Sequence, residues 1–201
     1  MSADTATPAR QPRSTRDNAL LLLAGMSAVM WVVEVVDAIS FDLDRHGIAP
    51  RAVDGLDGIA WAPFLHDGFG HLIGNTIPFL LLGAAIALAG LARLAAVSAI
   101  VVLVGGVGTW LSGPENTIHI GASGVVFGYA AYLVTRFVWS RRGLDLAVGV
   151  LVLAVYGTTL LVGLVPTPGV SWQGHLFGAV GGVVAARVVH RRARSGDGDR
   201  A

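Results

Sequence analysis

The chain has 201 residues, of which 54% are hydrophobic and 27 are glycine, and 14 basic residues against 13 acids leave a formal net charge of +1. That makeup, with a mean hydropathy of +0.67, excludes an ordinary soluble domain, and the absence of a basic face with interleaved aromatics excludes nucleic-acid binding. Without cysteine there is no disulfide framework, thiolate metal site or thiol nucleophile.

Residues 1–17 are polar and carry Arg10, Arg13 and Arg16, too hydrophilic to bury and unlike a secretory signal peptide, so a short disordered tail is expected there. Apolar segments follow at 18–40, 69–89, 92–111, 121–139, 144–164 and 171–189, each near the ~20 residues that cross a bilayer. The expected architecture is all-α, a polytopic bundle of six transmembrane helices over residues 18–190, closed by a charged tail at 191–201. The long connection 41–68 mixes Asp42, Asp44, Asp54, Asp57 and Trp61 with apolar residues, which favours a segment lying on the membrane interface.

Twelve of the fourteen arginines fall on one side of this topology and only Arg45 and Arg51 on the other. Cytoplasmic loops retain arginine, so both termini are expected in the cytoplasm of a cell-membrane protein, with the 41–68, 112–120 and Pro166–Gly169 connections outside. Spans two, four and six then begin at the outer surface. At ~1.5 Å per residue, His71 and Asn75 lie roughly 3 to 10 Å and His175 roughly 6 Å below it, while Ser123 opens span four.

Side chains of this polarity are expensive in hydrocarbon and point into the bundle. His71 and Asn75 share a helical face; polar glue between helices is the structural alternative to function. His175, Gly178 and Gly182 form one stripe of span six, and Gly124 and Gly128 make a matching step on span four, small enough for close packing. Such stripes are also common wherever membrane helices pack. If spans four and six touch, the His175 imidazole reaches the Ser123 hydroxyl, which is a poor nucleophile until a base within about 2.6 to 3.2 Å takes its proton. His71, Asn75 and the Ser123 amide at a helix N-terminus are candidate donors to a developing oxyanion. No carboxylate lies nearby to orient the base, so a dyad is expected rather than a triad.

Three motifs, His66-x4-His71-x3-Asn75, Gly121-Ala122-Ser123-Gly124 and His175-x2-Gly178-x3-Gly182, resemble those of the rhomboid intramembrane serine proteases in residue type, order and helix assignment. The resemblance covers residues 18–190. It implies that Ser123 is the nucleophile, His175 the general base, and His71 and Asn75 the oxyanion donors, with His66 near the outer rim. Phe127 stands where the family often has a tyrosine stacked on the catalytic histidine, and the Trp-Arg pair that many members carry in the first outer loop is absent. The implied activity is cleavage of single-pass transmembrane proteins near the outer membrane face, with entry beside span five and the Pro166–Gly169 loop, and with no cofactor.

Three other readings compete. A metal site from His66, His71, His119 and His175 leaves Ser123 and Asn75 without a role and lacks an HExxH signature. A transporter rests on Glu34 and Asp37, acids that also fit a span end. A catalytically inactive relative that binds client helices is disfavoured because each expected catalytic position is filled. His119 is expected in a loop near the site.

Overall fold

In this computed structural model, residues 14–198 are described. The first helix, α1 (Thr15–Ser40), starts earlier than the apolar pattern predicts, inside the expected tail, because Ser14 and Asp17 cap it reciprocally. The Asp17 amide donates to Ser14 Oγ and the Ser14 amide to Asp17 Oδ2, each at 3.2 Å, which satisfies two amides that a helix start leaves orphaned. Residues 1–13 of that expected tail lie outside the described residues.

The other long helices are α2 (Gly68–Ala87), α3 (Leu91–Ser112), α4 (Ser123–Thr135), α5 (Gly143–Gly163) and α6 (Trp172–Gly198). Among the described residues the structure is helical, and its sole β-like feature is an isolated bridge between Ile48 and His119. The helices α1, α2, α3 and α5 are long and apolar enough to cross a membrane. The backbone of α6 stays helical to Gly198, past the expected span end at 189 and through most of the segment expected to be a tail.

The shortest of these six, α4, has 13 residues, about 20 Å of rise, where the apolar pattern predicted a full span over 121–139. Its C-terminal side is interrupted for one residue at Arg136 before the helical turn Phe137–Ser140. Arg136 is itself buried, and its guanidinium meets Asp145 of α5 at 2.7 Å. The apolar run therefore conceals a polar anchor that ties α5 to the centre of the bundle.

Tyr129 and Tyr132 of α4, Phe79 of α2 and Leu94 and Val97 of α3 are fully buried. Tyr129 stacks on Phe79 and hydrogen-bonds Ser98 at 2.6 Å, while the Ser98 hydroxyl donates to the Leu94 carbonyl, so the Tyr129 hydroxyl is the donor to Ser98. Val32, Ile39, Leu81, Leu103, Val155 and Leu161 point outward and exposed. An apolar exterior around helices that meet through glycine contacts, buried aromatics and a few interhelical hydrogen bonds fits lipid as solvent.

Glycines let α6 lie against both α3 and α4. A Cβ on Gly178 would fall 2.1 Å from the Gly124 carbonyl oxygen, and one on Gly182 would fall 2.0 Å from that of Gly128. The backbones are thus in direct contact along the stripe. The Cβ space at Gly124 is less restricted, its nearest neighbour being the Gly174 carbonyl oxygen at 3.1 Å.

The connection 41–67 is folded into short helical turns, and backbone bonds pin it. Ile48 and His119 exchange two bonds of 2.9 and 3.0 Å, and the Arg51 amide donates to the Trp110 carbonyl at 3.0 Å. Trp110 Nε1 donates to the Ala52 carbonyl at 2.8 Å, and Arg51 pairs with Glu115 at 3.1 Å. These contacts join the loop to the end of α3, and Phe41, Val53, Leu56 and Trp61 remain exposed on it.

Candidate active site

Gly121 turns the chain into α4 with φ +106°, a conformation that a side chain disfavours, and a Cβ there would sit 2.9 Å from His71 Nε2. The turn is held from below. The Gly121 amide donates to the Ala62 carbonyl at 2.8 Å and the Ala122 amide to His66 Nε2 at 3.3 Å. His66 lies in the connection just before α2, is 1% exposed and makes edge contact with His71 at 5.2 Å, which makes it a buried support of the serine turn.

Ser123 is the first residue of α4, and its Oγ lies 2.8 Å from His175 Nε2. On the other edge of the ring, Nδ1 lies 2.7 Å from the Gly163 carbonyl oxygen at the end of α5. A carbonyl only accepts, so Nδ1 carries the proton and Nε2 presents its lone pair to the hydroxyl. This backbone group fills the orienting place that the sequence leaves without a carboxylate. Phe127 stacks on the His175 ring with centroids 4.1 Å apart and planes 7° from parallel. Gly163 must be small, because a Cβ would lie 2.5 Å from Phe127 Cζ and 3.1 Å from His175 Nδ1.

His71 Nδ1 accepts from the Asp67 amide at 3.3 Å, which leaves the proton on Nε2, the atom beside Gly121. Asn75 is buried, and one Nδ2 hydrogen goes to the His71 carbonyl at 3.1 Å. Both residues line a cavity of about 1210 Å³ together with Ser123, Phe127, Gly163 and His175. The cavity reaches from α2 (Gly74, Pro78) to α5 (Thr158, Thr159, Val162) and to the Pro166–Gly169 loop, and a smaller one of about 280 Å³ continues between Ile77 and Leu160. Asp44 lines the mouth, its carboxyl pushed up to about 6 by burial and by Asp37, Glu34, Asp67 and Asp42.

The structure thus brings Ser123, His175, His71, Asn75, Gly121, Phe127, Gly124 and Gly178 to one end of the bundle, and His66 beneath them. Gly182 lies two turns down α6. His119 joins a separate hydrogen-bonded group with Thr117 and Ser171. Among the described residues no three His, Cys, Asp or Glu side chains converge as metal ligands. Asp37 accepts from the Leu43 amide, capping the turn after α1, and Glu34 is buried with Oε2 unpartnered. The Gly163 and Ala62 carbonyls escaped the sequence reading because a backbone oxygen has no residue signature.

Burial, reinforced by the neighbouring His71 imidazole, pushes His66 down to about 4. The unfolded chain takes up that proton near pH 6.5, so the folded state loses stability as pH falls from about 6.5 to 4, by roughly 3 kcal/mol in all. Denaturant melts of the micellar protein at pH 7 and pH 4.5 should show a smaller pH-dependent loss in His66→Gln than in wild type; equal losses would exclude His66 as the titrating group.

A model of the Rhomboid domain matches residues 56–192. An uncharacterised protein of Mycobacterium tuberculosis is 46% identical over 181 residues, 84% of this chain and 75% of that protein. One of Mycobacterium leprae is 47% identical over 169 residues, 79% of this chain and 66% of its own. The Bacillus subtilis "Putative rhomboid protease YdcA" is 26% identical over 165 residues, 80% of this chain and 82% of that protein. With a domain match across most of its length and helices apolar enough to span a bilayer several times, the chain belongs to the rhomboid family of multi-pass membrane proteins.

Proposed function

We propose that the protein is an intramembrane serine endopeptidase that cleaves single-pass transmembrane proteins near the outer membrane face. One observation carries this reading: Ser123 Oγ stands 2.8 Å from a His175 Nε2 whose tautomer the Gly163 carbonyl dictates. Family membership and the name of the Bacillus subtilis relative point the same way.

In the reaction, Ser123 Oγ attacks the scissile carbonyl while its proton passes to His175 Nε2. The oxyanion meets the Ser123 amide at the positive end of α4, the His71 Nε2 proton and the free Asn75 Nδ2 proton. Collapse of the tetrahedral intermediate breaks the C–N bond, and His175 returns the proton to the leaving amine. Water then adds to the acyl-enzyme by the same route, releasing the carboxylate product and restoring the serine. The open side between α2 and α5 suits a substrate segment arriving from the bilayer, locally unwound so that its amide is free of helical bonds.

The arginine split supports an orientation with both termini cytoplasmic and the cavity opening outward. The test is cleavage of a tagged single-pass reporter in liposomes by the full chain, with fluorophosphonate labelling of Ser123. Wild type is expected to cleave, to be labelled and to ignore EDTA; undiminished cleavage by Ser123→Ala overturns the proposal.

A further inference from the structure

The structure contains a second serine–histidine pair. Ser171 Oγ lies 2.6 Å from His119 Nδ1, and each partner sits four residues before a member of the first pair, His119 before Ser123 and Ser171 before His175. Each pair therefore joins the same two segments, four residues apart along each, with serine and histidine exchanged; on the α6 side the interval is one helical turn, and on the α4 side it is the non-helical approach through Gly121.

The direction of the second bond is decided by its neighbours. The Thr117 hydroxyl donates to the Pro114 carbonyl at 2.7 Å, so toward His119 Nε2, 3.0 Å away, it can only accept. His119 thus carries its proton on Nε2, and Nδ1 receives the Ser171 hydroxyl. Burial pushes the His119 imidazole below its ordinary value, which keeps it neutral. Its backbone is equally constrained by the two-way bridge to Ile48.

Ser171 needs such a partner. The segment before it, Pro166–Val170, is exposed and turns at Gly169 with φ +76°. In α5, which leads into it, only Gly149 and Val152 are buried. Ser171 also starts α6, its carbonyl accepting from the His175 amide at 3.1 Å. A bond at Ser171 therefore fixes the first turn of α6 relative to the residues that lead into Ser123.

We propose that His119 and Ser171 are a positioning pair that sets the distance and angle between Ser123 and His175. The glycine contacts of Gly124 with Gly178 and of Gly128 with Gly182 hold α4 and α6 together on the C-terminal side of Ser123 and His175; the bond between His119 and Ser171 holds the same two segments on the N-terminal side, so the reacting pair is clamped from both directions. A shift near 1 Å at a reacting pair costs up to about 10²-fold in rate.

This inference rests on the proteolytic reading, so the test separates the two. In full-length protein in liposomes, Ser171→Ala and His119→Leu should each lower kcat for the reporter about 10- to 100-fold with KM unchanged. The double variant should fall no further than either single one, because both break the same bond. Ser171→Thr and His119→Asn keep a donor and an acceptor and should retain most activity, and His119→Leu reports on the bond independently if Ser171→Ala does not fold. Nitrogen-15 spectra of histidine-labelled protein add a readout independent of cleavage: His175 Nε2 accepts from Ser123 in wild type, and its resonance is expected to move toward that of an unbonded imine nitrogen in Ser171→Ala, while Nδ1 keeps its proton on the Gly163 carbonyl. Wild type that neither cleaves nor labels defeats the proteolytic reading alone, and the spectra still decide the pair. Unchanged kcat and spectra in Ser171→Ala, or effects that multiply in the double variant, overturn the pair.

Discussion

Ser123→Ala and His175→Ala each lower reporter cleavage by about 10³-fold or more, and the double variant is no worse than either alone. The reason is mutual dependence. Without the imidazole the hydroxyl keeps its proton and attacks poorly; without the hydroxyl the imidazole has nothing to activate. Initial rates in liposomes with the four proteins at equal incorporation read this, together with fluorophosphonate labelling, which both single variants should lose. His71→Ala and Asn75→Ala fall less steeply, about 10²-fold each, since one oxyanion donor remains beside the Ser123 amide. Losses that multiply from Ser123→Ala to the double variant would show that the two residues act in separate steps.

Gly178→Ala and Gly182→Ala lower cleavage by about 10²-fold or more, although neither residue bears a reactive group. Their added methyls would lie 2.1 and 2.0 Å from the carbonyl oxygens of Gly124 and Gly128, backbone atoms of α4 that have no rotamer with which to retreat. The helices must separate, and His175, one turn from Gly178 on the same face, moves away from Ser123. Overpacking of this kind also costs roughly 1 to 3 kcal/mol of stability. Gly25→Ala in α1 is the control: nothing lies within 4 Å of its Cβ, so cleavage and folding should be unchanged. Labelling of Ser123 at the wild-type rate in Gly178→Ala would show that the bundle absorbs the methyl elsewhere.

The stripe at His175, Gly178 and Gly182 was legible because helical spacing puts those residues on one face whatever surrounds them. Which member is tightest was not. The residues of α4 alone single out Gly124 and Gly128, whereas the restriction at Gly178 comes from the carbonyl oxygen of a neighbouring helix. His66 shows the same limit. Its motif identifies it as part of the site, but its support of the Ala122 amide requires the first loop to fold beneath α4.

The class of molecule, the number and order of its long helices and the residue types of the site follow from the amino-acid sequence alone, whereas the limits of α1, α4 and α6 do not. Lipid as solvent demands long apolar helices, and it makes a serine, two histidines and an asparagine conspicuous against them. Tertiary structure decided what those residues can do. The His175 tautomer depends on the Gly163 carbonyl, the serine turn on the Ala62 carbonyl and His66, and the approach of α6 to α4 on backbone contact at glycines. These contacts use backbone atoms or distant partners, and a backbone carbonyl is the same at all 201 positions. Only the packing of helices assigns one of them to an imidazole.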